Sequence, residues 1–147
     1  MSAELTPDQI LRVVAALEAA WGGDEDALAA LVRGGHRERP LAQLITQYGA
    51  SRLQSMLLVV TGIVHLDGPD RQEALSEFRE GLISHMTTIA LSMMAGWAHA
   101  AGDNVRATGE LARQVMRALL SFTTDGDDPR EVQALLAHLR ANAVAHS

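Results

Sequence analysis

The feature of this sequence that most constrains its fold is a long segment without charge. From Gly81 to Gly102 the chain contains no Asp, Glu, Lys or Arg. A helix without charged residues on any side needs cover over most of its surface. We therefore predict a central uncharged helix over about residues 82–101, covered by neighbouring helices or by a second subunit. Within it, we expect Ala95 to lie on a packed face because it stands between Met94 and Gly96.

The limits of this helix depend on the glycines around it. A helical pattern opens at Pro69 and continues to Ala101. One helix of that length would span about 50 Å, which is longer than a small domain needs. We therefore expect a break near Gly81 or Gly96. The uncharged segment also contains several serine, threonine and histidine side chains, which disfavour a bilayer span, so we predict no membrane interaction.

Helix-start signals recur along the chain. Thr6 precedes Pro7 and is followed three residues later by Gln9, the pattern of a capping box. Asp24 and Asp103 each follow a glycine and are placed to begin further helices. No segment shows the apolar and polar alternation of a β-strand. The sequence predicts an all-α fold, an irregular bundle of about six or seven helices in a single domain covering residues 1–147.

Composition narrows the possible functions. The chain has no cysteine, so disulfides, thiolate metal sites and cysteine nucleophiles are excluded, and we expect a cytoplasmic location. The formal net charge of −6 opposes approach to a phosphate backbone, which makes a nucleic-acid partner unlikely on charge alone. Aromatic residues are 3% of the chain and offer little material for stacking on bases.

One segment nevertheless resembles a helix-turn-helix. In residues 41–58, Gly49 stands at the position of the turn, and Ser51 begins a segment that resembles a recognition helix. The resemblance implies DNA binding, with Arg52 as the one cation placed to reach a phosphate or a guanine edge. The would-be recognition helix continues with Leu53 and further apolar residues, whereas groove-reading helices are polar. The residues therefore also fit a kinked helix pair inside a bundle.

The sequence contains no recognisable catalytic or metal-binding motif. The histidine spacings that helices offer to zinc or di-iron sites are missing from the sequence. His85 and His99 are fourteen residues apart, a separation of about 21 Å along a helix, which prevents a shared ion. We expect both histidines to be core residues, and we predict no metal, no cofactor and no catalytic residue. The sequence thus favours a protein that is not an enzyme.

A band of methionines near a tryptophan is the remaining candidate site. Met93, Met94, Trp97 and Met116 could line an apolar ligand pocket between the central helix and the helix that follows it. Such a band also occurs in ordinary hydrophobic cores.

Three hypotheses follow. The leading one is a non-enzymatic helical protein–protein interaction or oligomerisation module that forms a homodimer. The first alternative is a small-molecule-sensing domain with the methionine- and tryptophan-lined pocket, and the second is a helix-turn-helix DNA-binding protein.

Overall fold

The all-α prediction is confirmed. The computed structural model describes residues 4–34, 39–60, 62–121 and 128–145, and these residues contain seven α-helices and no β-strand. The helices are α1 (Pro7–Trp21), α2 (Glu25–Arg33), α3 (Leu41–Val60), α4 (Gly68–Glu80), α5 (Leu82–Ala101), α6 (Val105–Leu120) and α7 (Pro129–Ala145). A short 3-10 helix, Ile63–His65, connects α3 to α4.

The helix starts follow local capping chemistry. At α1 the Thr6 side chain accepts a hydrogen bond from the Gln9 backbone, and the Gln9 side chain accepts one from the Thr6 backbone, which completes the predicted capping box. Asp24 caps α2 as predicted. Helix α6 is capped by Asn104 rather than by Asp103, because it is the Asn104 side chain that accepts from the Ala107 N–H. The break between α4 and α5 falls at Gly81, one of the two predicted positions.

The predicted turn at Gly49 is absent. Helix α3 continues through this position, so the segment that resembles a helix-turn-helix has no turn. Gly49 instead lies at a close contact between helices, where an added Cβ would be 3.1 Å from both γ-carbons of Val115. The glycine lets α3 and α6 approach closely without interrupting the helix.

The hydrophobic core lies between α1, α3, α6 and α7. Each of these helices contributes several side chains that are almost completely buried, among them Leu17, Leu44, Leu119 and Leu139. Helix α1 packs on α2, α3, α6 and α7, and α6 packs on α1, α2, α3 and α5. The centre of the bundle is therefore formed by α1 and α6.

The prediction that the uncharged helix occupies the centre is wrong. Helix α5 contacts α3, α4 and α6, but most of its side chains between positions 85 and 100 are exposed. Among its described side chains, those of Ala98 and Ala101 alone belong to the buried core. A helix without charged side chains has no group that must stay in water, but this property does not predict which face is buried or what covers it. In this chain α5 packs at the edge of the bundle.

Two arginines form hydrogen bonds from one helix to the C-terminal end of another. Arg12 donates from Nε and Nη2 to the carbonyl oxygen of Leu31, at 3.2 and 2.6 Å, near the end of α2. Arg113 donates from Nη1 to the carbonyl oxygen of Ala20 at 3.3 Å, near the end of α1. Each guanidinium thus bonds to a carbonyl near the end of a helix and places positive charge at the negative end of a helix dipole.

The location of α5 gives a paired stability test. Ala95 is exposed, contrary to the expectation that it faces a packed neighbour, whereas Ala98 on the same helix is buried. Ala98→Asp should lower the free energy of unfolding by about 3 kcal/mol, because the carboxylate would be buried without a partner. Ala95→Asp should cost only about 0.7 kcal/mol, the difference in helix propensity. Urea unfolding followed by circular dichroism measures both, and equal losses in the two variants would contradict this packing.

Candidate functional site

Helix α5 presents an apolar face to solvent, which we call the α5 stripe. It consists of Met86, Ile89, Met93, Trp97 and Ala100, spaced three or four residues apart and therefore aligned along one side of the helix. The four large side chains are 61%, 60%, 71% and 39% exposed in chain order. Exposed side chains of this size are normally scattered singly over a surface, whereas here they are contiguous.

The four predicted pocket residues do not lie together. Met93 and Trp97 belong to the outward α5 stripe, whereas Met94 packs against the core and Met116 on α6 is fully buried. Successive residues of a helix point about 100° apart, so Met93 and Met94 face different directions. These residues form no common cavity, and ligand binding by them stays a prediction.

The histidines differ from expectation as well. His85 and His99 are both exposed on α5 instead of buried in the core. Within the described ranges, no three or more His, Asp or Glu side chains are grouped closely enough to hold a metal ion.

A groove of about 900 Å³ lies elsewhere on the molecule, beside the middle of α3. Its walls come from the segment leading into α1, from α3, from α5 and from the end of α7. Leu5, Ile10, Leu91, Ala95 and Ala98 form much of its apolar lining. The volume is in the range of sites that take drug-sized ligands.

The polar side of the groove is formed mainly by α3. Gln43, Gln47 and Gln54 line it, and so do Thr46 and Arg52. Arg52 is the one charged residue of α3 and is half-buried, so the cation suggested for DNA contact lies at a groove wall. Its Nε is inaccessible to solvent and has no hydrogen-bond partner in the described ranges, and the same is true of the Thr46 hydroxyl oxygen. Buried polar groups are normally paired, so two orphaned groups at one groove need an explanation.

Tyr48 packs beside this polar wall. It is 5% exposed, and burial raises the pKa of its phenol from 10.0 to about 12 because the anion would lose its hydration. The positive charge of Arg52, one helical turn away, opposes this shift and lowers the Tyr48 pKa. The phenol is therefore neutral at ordinary pH.

This groove was not predicted from the sequence. One signal was present, because Gln43, Gln47, Ala50 and Gln54 recur at helical spacing along one side of α3. The opposite wall comes from segments distant in sequence, and the way they meet α3 depends on tertiary packing.

No protein-family model matches the sequence, and no curated protein or solved structure is significantly similar to it. Among the described helices, none combines the length and hydropathy required to cross a bilayer.

Tyr48 can be observed selectively, because it is the only tyrosine and the chain has neither lysine nor cysteine. The folded chain should form tyrosinate with a midpoint of about 12, measured by ultraviolet absorbance, and Arg52→Gln should move the midpoint higher. Because the folded-state pKa lies above the unfolded value, folding stability should be fully present below pH 10.0 and should fall as the pH rises toward 12.

The control for this titration is the chain unfolded in guanidinium, which should titrate near the ordinary value of about 10. A midpoint near that value in the folded chain, with folding verified by circular dichroism at the same pH, would contradict the burial of Tyr48.

Proposed function

We propose that this chain is a non-enzymatic helical module that forms a homodimer through the α5 stripe. The observation that carries the proposal is the exposure of four large apolar side chains on one face of a helix without charge. The proposed partner is a second copy of the chain, and three properties of the stripe support that choice.

The first property is its area. A fully exposed side chain of this size has roughly 200 Å² of surface, so the four exposed fractions amount to about 500 Å². Two copies meeting through this face would remove on the order of 1,000 Å² of apolar surface from water, before any contribution from the rim. Specific interfaces begin at about this size.

The second property is its internal symmetry. Ile89 and Trp97 are each four residues from Met93, and Met86 and Ala100 are each seven residues from it. An antiparallel pairing with its two-fold axis near Met93 would bring Ile89 opposite Trp97 and Met86 opposite Ala100. Such an interface uses the same surface on both partners, as dimers with two-fold symmetry require.

The third property is electrostatic. Each chain carries a formal net charge of −6, so two copies repel one another in most orientations. Contact through α5 avoids placing like charges directly opposite each other, because the helix contains none. Because α5 contains no lysine or arginine, it has no permanent positive charge to attract anionic lipids or acidic proteins.

Light scattering after size exclusion at low micromolar concentration should give the parent a mass twice the 15.8 kDa of one chain. Met93→Glu should give a monomer, because the two-fold would place two carboxylates at the centre of an apolar contact. The matched control is Val144→Glu on α7, where the parent side chain is 61% exposed but lies outside the stripe. A monomeric parent would refute the proposal, and so would equal dissociation by the two substitutions.

The absence of native cysteine allows a test of the symmetry axis. Met93→Cys should form a disulfide-linked dimer under mild oxidation, because residues near a two-fold axis approach their own copies within the roughly 7 Å between Cα atoms that a disulfide tolerates. Val144→Cys, equally accessible in the single chain, should crosslink much more slowly. Non-reducing electrophoresis over time compares the two, and similar rates would count against pairing centred at Met93.

A further inference from the structure

The groove beside α3 contains a half-buried arginine, Arg52. No carboxylate among the described residues forms an ion pair with it. Its Nε is shielded from water and has no acceptor among the residues that the structure describes. The Arg52 guanidinium therefore has an N–H group that donates no hydrogen bond to these residues. Its best-matched partner is a planar anion, which can accept from two N–H groups at once.

Other polar side chains of α3 near Arg52 can also form hydrogen bonds with a ligand. The Thr46 hydroxyl oxygen, six residues before Arg52 on the same helix, is buried without a partner among the described residues, and Thr46 is only 8% exposed. Gln43 and Gln54 supply amide groups along the wall. These groups can donate to and accept from a polar ligand. On the other side, Leu91 and Ala98 of α5 provide an apolar surface.

We propose that this groove binds a small organic carboxylate whose anionic group pairs with Arg52. The polar groups next to that carboxylate bond to the amide and hydroxyl side chains of α3. The apolar part of the ligand lies against α5.

The charge of the groove favours one negative charge on the ligand over several. Arg39 at the rim adds a second cation, but the Glu4 carboxylate also lines the groove and offsets it. Phosphate sites in proteins combine several cations or backbone N–H groups from a glycine-rich loop or a helix start. The polar wall here is the side of a helix, which offers side chains only. A monoanionic carboxylate therefore matches the groove better than a phosphate.

Isothermal titration calorimetry with N-octanoylglycine tests the proposal, because this molecule combines a carboxylate, an amide and an apolar chain. Binding is expected at micromolar to low-millimolar concentration. The neutral N-octanoylglycinamide should bind about tenfold more weakly or worse, because it lacks the anion. Arg52→Gln should weaken binding of the acid by about 10- to 100-fold and remove most of the preference for acid over amide.

Three further variants locate the site. Ala95→Asp places a carboxylate on the groove wall at an exposed position and should also abolish binding. Arg106→Gln removes an exposed arginine outside the groove and should bind like the parent. Met93→Glu, which alters the α5 stripe, should bind like the parent as well, so this result is independent of whether the chain dimerises. Circular dichroism verifies the fold of each variant.

Several outcomes would overturn the proposal. One is the absence of binding by the parent at low-millimolar acid, and another is equal affinity for acid and amide. Unchanged affinity in a folded Arg52→Gln or Ala95→Asp variant would place the ligand elsewhere. Loss of binding in Met93→Glu alone would assign it to the α5 stripe. Full competition between inorganic phosphate and N-octanoylglycine would show that the groove is a phosphate site and not a carboxylate site.

Discussion

The close approach of its neighbours to α6 is the constraint on which the rest of the bundle depends. Gly49 permits it on the α3 side, and Gly109 permits it on the α2 side, where an added Cβ would lie 2.9 Å from the Cδ2 atom of Leu28. Protein interiors are packed as densely as organic crystals, so a helix can occupy the centre only where its neighbours leave room for it. With α6 and α1 at the centre, α5 is left at the edge, and one of its faces has no cover within the chain.

The sequence predicted the features that depend only on neighbouring residues, namely a helix cap and a break between two helices. The capping box at Thr6 and Gln9 needs only a four-residue segment. The cost of an overlong helix predicted a break near Gly81 or Gly96, and the structure has it at Gly81. Gly49 shows the limit of this reasoning. A glycine inside a helical pattern favours a break when only the helix is considered, but here its small size serves the contact with Val115. That contact joins residues far apart in sequence, which no local pattern encodes.

The lack of information about distant contacts also explains why the predicted central location of α5 was wrong. Its sequence contains two apolar sides, one with Met86, Ile89 and Met93 and another with Leu91 and Ala98. Without charged residues there is no polar face to indicate which side meets solvent. The side with Leu91, Met94 and Ala98 packs inward, and the side with the α5 stripe remains outside. Grouping Met93 with Met94 by closeness in sequence overlooked the rotation between successive residues.

Helix α5 separates the two surfaces to which we assign function. Leu91, Ala95 and Ala98 line the groove, whereas the α5 stripe faces outward and shares no residue with it. A ligand can change dimer affinity only if it binds the monomer and the dimer with different free energies. Because the two surfaces have no common side chain, such a difference would require α5 itself to shift. Among its described side chains, those of Ala98 and Ala101 join α5 to the buried core, so any coupling between groove and interface would have to act through that contact.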